Sequence, residues 1–166
     1  MDRIELRKAV SGDEKTLAYI QTRSWKAAFS EILSAEELER STDIQKAEEM
    51  YKNVLSRGFV NLVIEYVDGE PHCIAGWSRN RNDLGDSTAE LICIHSLQNK
   101  WHRGYGSVMM RHVLDEIEKS GFSQVVLWVF EKNFNARRFY EKHGFVLSDL
   151  KNESHGAVEI MYLKKL

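Results

Sequence analysis

Residues 90–107 read ELICIHSLQNKWHRGYGS. The apolar run Leu91-Ile92-Cys93-Ile94 suits a strand over Ala89–Ser96. Behind it, Met110, Val113, Leu114 and Ile117 fall at i, i+3, i+4 and i+7, so Gly106–Lys119 reads as an amphipathic helix. Ser120-Gly121 ends that helix with a residue suited to a left-handed cap. Val125–Phe130 is a continuous apolar run, as expected of a strand buried on both faces. Strand, helix, strand in this order implies a parallel, right-handed crossover. The join from strand to helix, Trp101-His102-Arg103-Gly104-Tyr105-Gly106-Ser107, holds two glycines that let the backbone curl and approach a ligand closely. The orphan amides of the first helical turn point into one small space there, and the helix dipole adds partial positive charge. Such a loop suits a phosphate or pyrophosphate, with Lys100, His102 and Arg103 adding charge at its rim. It is not a GxGxxG loop, because Met109 takes the last position, and it lacks the Gly-Lys-Ser/Thr of a P-loop.

Upstream, Ile4–Arg7 alternates apolar and charged residues and reads as a short strand. A helix is expected from Glu14 to about Phe29, with room for a break near Ser24. Ser34-Ala35-Glu36-Glu37 has the pattern of a capping box, and one further helical stretch is expected from there to about Leu55. Val60–Val67 and His72–Arg79 read as two strands joined by a turn at Asp68-Gly69. Downstream, Asn135–His143 reads as a helix stopped by Gly144, and Phe145–Leu147 and Val158–Leu163 as strands. No repeat, linker or low-complexity segment divides the chain, so one α/β domain over residues 1–166 is expected.

Composition narrows the function. The formal charge of −2 gives no basic field, so nucleic acid is not an expected partner. Cys73 and Cys93 are too far apart for a redox or metal pair and read as small buried hydrophobes. The six histidines form no HExxH and no close Cys/His cluster, so no metal is expected. The start MDRIELRKAV has no apolar h-region and no run approaches the length of a membrane span, so a cytoplasmic location away from membranes is the expectation. A homodimer is expected only from the frequency of two-fold oligomers among soluble proteins.

Two blocks, LICIHSLQNKWHRGYGSVMMRHVL and WVFEKNFNARRFYEKHGF, together resemble the GNAT family of N-acetyltransferases. The first is similar to its acetyl-CoA motif, Gln/Arg-x-x-Gly-x-Gly/Ala. The second is similar to its Asn-x-x-Ala-x-x-Phe-Tyr…Gly-Phe element, carried here by Asn133, Ala136, Phe139, Tyr140, Gly144 and Phe145. Trp101 stands where the family often has Gln or Arg, and Gln98 where proline is frequent. The resemblance implies a mixed α/β (α+β) fold with a mostly antiparallel sheet, a central parallel strand pair that splays apart, and flanking helices. It implies acetyl-CoA as co-substrate and an amine as acceptor. The diphosphate of CoA would lie on the amides of His102, Arg103, Gly104, Tyr105, Gly106 and Ser107. The backbone of Ile94, His95 and Ser96 would bond the acetyl and pantetheine groups, Asn133 would bond the pantetheine arm, and Tyr140 would protonate the departing thiolate.

Acetyl transfer needs a deprotonated amine, a stabilised oxyanion and a protonated leaving group. Tyr140 is the candidate acid; its plainer reading is a packed ring beside Phe139. Glu90, at the mouth of the central strand, is the first candidate base, against the reading of a carboxylate facing water. His95 is the second, and alternation puts it on the opposite face from Glu90 unless a bulge intervenes. Ordered waters can also carry the proton away. Trp25–Phe29 either lines the acceptor pocket or packs in the core. No Cys or Ser sits in a nucleophile arrangement, so transfer is expected to be direct. Two other readings stay open: a non-catalytic acyl-CoA-binding regulatory domain, and a nucleotide-phosphate protein of another fold.

Overall fold

The computed structural model describes residues 1–166. Seven strands form one sheet: β1 (Ile4–Lys8), β2 (Asn61–Val67), β3 (Glu70–Arg79), β4 (Thr88–Ser96), β5 (Gln124–Phe130), β6 (Val146–Ser154) and β7 (Ala157–Lys165). Their order is β1-β2-β3-β4-β5-β7-β6. All neighbours are antiparallel except β4 and β5. The helices are α1 (Glu14–Phe29), α2 (Ala35–Ser41), α3 (Ile44–Arg57), α4 (Tyr105–Lys119) and α5 (Phe134–Lys142). No helix is long and apolar enough to cross a membrane.

The parallel pair is the mechanical centre. A parallel neighbour needs a crossover, and α4 supplies it. β4 and β5 pair only at Thr88–Gln124, Ala89–Val125 and Glu90–Val126, then separate. The register of β4 on β3 shifts at the point of separation: Leu91 faces Trp77 and Cys93 faces Gly76, so Ile92 is an extra residue. A bulge of this kind bends its strand. Beyond Glu90, the edge of β4 turned toward β5 has no strand partner.

Each face of the sheet has its own core. Met109, Met110, Val113 and Ile117 of α4 pack on Ala75, Trp77, Val125, Leu127 and Val129. On the opposite face, Leu17, Ala18 and Ile20 of α1 and Ala47 and Tyr51 of α3 cover Leu62, Ile64 and Ile74.

Three local expectations are corrected. Helix α1 runs through Ser24 unbroken. The stretch after Ser34 is two helices, because Asp43 starts a new one by accepting from the Lys46 amide at 2.9 Å. The last two strands are far longer than expected and form a hairpin turning at His155-Gly156. β6 is exposed along nearly its whole length, so it carries no alternation to read.

Glu65 of β2 is an expensive feature. It pairs with Leu6 and Cys73 in the sheet, is fully buried, and neither carboxylate oxygen has a hydrogen-bond partner. Burial pushes its carboxyl from 4.5 up to about 7. A carboxyl raised on folding favours the native state below its unfolded value and loses that advantage as pH rises through the folded one. Glu65→Gln is therefore expected to raise Tm at pH about 8 by roughly 4–8 °C, about 2 kcal/mol for a chain of this size. The gain should shrink to nothing near pH 4.5. Thermal unfolding across that range checks it; a gain independent of pH would show that the charge is not what costs stability.

Candidate active site

The gap between β4 and β5 opens a cavity of about 670 Å³ that runs from the start of α4 to the face covered by α1. At the α4 end, Gly104 is the N-cap, with φ +90°. That left-handed value favours glycine, and His102 shares the region at φ +62°. The chain curls so tightly that the amides of His102, Arg103, Gly104, Tyr105 and Gly106 make no hydrogen bond within the protein. The Ser107 amide turns back to the Gly104 carbonyl at 3.1 Å. Unpartnered donors at a helix N-terminus fit an anionic group such as a diphosphate. A Cβ at position 106 would lie 3.5 Å from the Phe139 ring, an ordinary packing distance, which places the first turn of α4 against α5. Ser107 Oγ and His143 Nε2 lie 3.0 Å apart and tie the same two helices.

Trp101, in the place of the family's Gln or Arg, takes a structural job. Its indole Nε1 donates to the Ser96 carbonyl at 3.0 Å, fastening the loop to the end of β4. The position after the strand where proline is frequent carries Gln98, which opens a single 3-10 turn over Gln98–Lys100. The loop is therefore ordered by other means. Tyr105 offers the cavity little more than its backbone and an edge. Its ring lies 5.4 Å from the His72 ring and its hydroxyl bonds Asp2. Burial pushes the His72 imidazole down to about 4.

Ten of the twelve candidate site residues line this one cavity: Ile94, His95, Ser96, His102, Gly104, Tyr105, Gly106, Ser107, Asn133 and Tyr140. Arg103 lies outside the lining, and its amide makes no bond within the protein. Asn133 caps α5, its Oδ1 accepting from the Ala136 amide at 3.2 Å, which leaves its Nδ2 uncommitted. Tyr140 is 8% exposed, and burial pushes its phenol well up. Its ring packs on Phe139 and Phe145 with centroids 5.7 and 5.9 Å away, and its hydroxyl makes no bond within the protein. The Tyr140 ring is thus packed among aromatics and also lines the cavity.

Glu90 is the second residue outside the lining, and here the expectation needs correction. The bulge at Ile92 reverses the alternation. Glu90, Cys93 and His95 pair with Ser78, Gly76 and Ile74, so Glu90 and His95 share the α1 face. The Glu90 carboxylate is nevertheless covered by Arg81, which bonds it through Nε at 3.1 Å, through Nη2, and through its backbone amide at 3.2 Å. Both Glu90 oxygens are thus engaged by Arg81, outside the cavity lining. His95 reaches the cavity, but its Nε2 receives the Trp25 indole at 3.4 Å and burial pushes its imidazole down to about 4.

The far end of the cavity is aromatic and acidic. Trp25 and Phe29 of α1 meet edge to face at 5.0 Å, and Phe29 meets Phe130 of β5 at 4.9 Å. Trp128, Glu159 and His155 complete it. The α1 aromatics thus serve as both cavity wall and core. His155 and Glu159 were missed in the sequence. The signal for His155 was the pair His155-Gly156, a two-residue hairpin turn, inside a segment too polar to read as strand.

Residues 22–145 match the family described as Acetyltransferase (GNAT) family. The spermidine N(1)-acetyltransferase of Thermoplasma acidophilum is 25% identical over 147 residues, 88% of this chain and 90% of that protein. The uncharacterized N-acetyltransferase YuaI of Bacillus subtilis is 24% identical over 130 residues, 78% of this chain and 73% of that one. Among solved structures, the PaiA N-acetyltransferase of Thermoplasma acidophilum in complex with coenzyme A superposes with a TM-score of 0.84 at 21% identity, over 99% of both chains. The structure of YncA from Salmonella typhimurium with its cofactor acetyl-CoA gives 0.72 at 16% identity, over 98% of this chain and 93% of that one. With the family match spanning most of the sequence and the amide cradle and divided strands in place, the chain belongs to the GNAT acetyltransferase family and is an acetyl-CoA-dependent N-acetyltransferase.

Proposed function

We propose that the chain transfers acetyl from acetyl-CoA directly to a primary amine, and that a linear polyamine is the acceptor class. The observation that carries this is the two-ended cavity. One end offers unpartnered amides, and the other offers aromatic walls with a carboxylate. A flexible polycation gains cation–π attraction from Trp25, Phe29 and Phe130 and charge attraction from Glu159. The relative named as a spermidine N(1)-acetyltransferase supports the same class.

The amides of His102 to Gly106 would hold the diphosphate of the donor, and the unpaired edge of β4 between Ile92 and His95 would hold its pantetheine and acetyl groups. The bound donor supplies a thioester carbonyl open to attack. Tyr140 would give the leaving sulfur a hydrogen bond and then a proton. Its raised pKa keeps the phenol protonated through the neutral range. A phenol is already a weaker acid than a thiol near 8.5 and burial widens the gap, so transfer has to keep step with breaking of the C–S bond.

Free thiol released from acetyl-CoA with spermidine, putrescine, an amino acid and a short peptide tests the acceptor. Spermidine and putrescine should give the highest kcat/KM; preference for the peptide would sink the polyamine assignment. Tyr140→Phe should lower kcat by about 10²-fold with acetyl-CoA affinity by calorimetry nearly unchanged, and unaltered turnover would remove Tyr140 from the chemistry. Glu90→Gln should lower Tm by a few degrees through loss of the Arg81 pair, yet keep kcat/KM within about threefold. A loss matching that of Tyr140→Phe would return Glu90 to the reaction.

A further inference from the structure

The turn between β6 and β7 is built in an unusual way. Ser154 pairs with Ala157, leaving His155 and Gly156 as a two-residue loop with φ of +53° and +77°. Both central residues of such a turn are left-handed, which is why Asn-Gly and Asp-Gly dominate it. Here an imidazole takes the first place and reaches across to α2. His155 Nδ1 is 3.0 Å from Glu37 Oε1 and 3.2 Å from Ser41 Oγ. The Ser41 hydroxyl itself donates to Glu37 Oε1 at 2.8 Å. A carboxylate only accepts, so in the neutral ring Nδ1 carries the proton and Nε2 keeps its lone pair.

Glu37 also departs from its expected local role. The Ser34 side chain accepts from the Glu37 amide at 3.1 Å, as in a capping box. The Glu37 carboxylate does not complete the box by returning to Ser34. It turns instead to His155, Ser41 and Arg40. These contacts hold its carboxyl down at about 2. The imidazole stands edge to face with Trp25 at 5.2 Å and lines the cavity beside Phe130 and Glu159.

We propose that His155, oriented by Glu37, takes the proton from the acceptor amine at Nε2. This rests on the transferase reading above. The ammonium proton passes to Nε2 and its N–H bonding pair stays on nitrogen. That nitrogen forms the C–N bond to the acetyl carbon, the C–S bonding pair leaves with sulfur, and the sulfur takes a proton from Tyr140. The nitrogen, which carries one proton too many for an amide once the C–N bond has formed, releases it through water to the Tyr140 phenolate, and His155 returns the first proton to solvent. His95 is the poorer candidate, because its Nε2 is occupied by the Trp25 indole. The charged groups around His155 are Glu37, with Arg40 on its second oxygen, and Glu159; α1 and β5 present only Trp25 and Phe130.

His155→Gly is the informative variant, since glycine accepts the left-handed turn and leaves an imidazole-sized space. With spermidine as acceptor, kcat should fall about 10²-fold, with KM for acetyl-CoA and Tm held, and added imidazole should restore at least about tenfold of the loss. His155→Asn should fold equally well and stay slow. Glu37→Gln keeps an acceptor for Nδ1 and loses the charge, so an intermediate loss of about tenfold is expected. The proposal is overturned if His155→Gly turns over within about threefold of wild type, or if imidazole restores nothing while both variants keep wild-type Tm. If the wild-type chain binds acetyl-CoA yet acetylates no amine, the transferase reading itself fails and this role falls with it.

Discussion

Everything in this molecule follows from the parting of two parallel strands. β4 and β5 hold together for three residue pairs and then diverge, with Ile92 as the bulged residue at the fork. Ordinarily a sheet is closed to traffic, because each edge group is bonded to its neighbour. The fork leaves a row of backbone donors and acceptors exposed inside the fold and makes a passage from one face to the other. The two separate cores keep the fork open. α4 grips the first face while α1 and α3 hold the second, so neither strand can swing back without giving up apolar burial.

The bulge also decides which side chains of β4 share a face. It brings Glu90 and His95 to one face, but each is already committed, Glu90 to Arg81 and His95 to Trp25. Glu65 and His72 are also buried and each retains unbonded polar atoms, but Glu65 lies outside the cavity lining and the His72 ring stands against Tyr105. His155 is different. It arrives from a hairpin at the other end of the sequence, with a carboxylate behind it and its second nitrogen free.

Much of this was legible in the residues. The α4 stripe, the glycine join and the apolar β5 run announced the crossover, because each is a local pattern with one physical solution. Ten of the twelve candidate site residues come together because they belong to contiguous blocks around that crossover. What could not be read was non-local. Leu91-Ile92-Cys93-Ile94 is apolar throughout, so nothing in it marks Ile92 as the extra residue, and simple alternation set Glu90 and His95 on opposite faces when they share one. Glu37 looked like half of a capping box, and only the β6–β7 hairpin gives its carboxylate another partner. Asp43 hid a helix start inside a helical stretch because its capping bond looks like any mid-helix acid in one dimension.

The passage through the sheet has a consequence for the order of events. Its lining draws on both sides of the sheet, the head of α4 on one and α1 on the other. Two co-substrates held on different sides do not queue behind one another. On the reading proposed above, each would have its own half of the passage to fill.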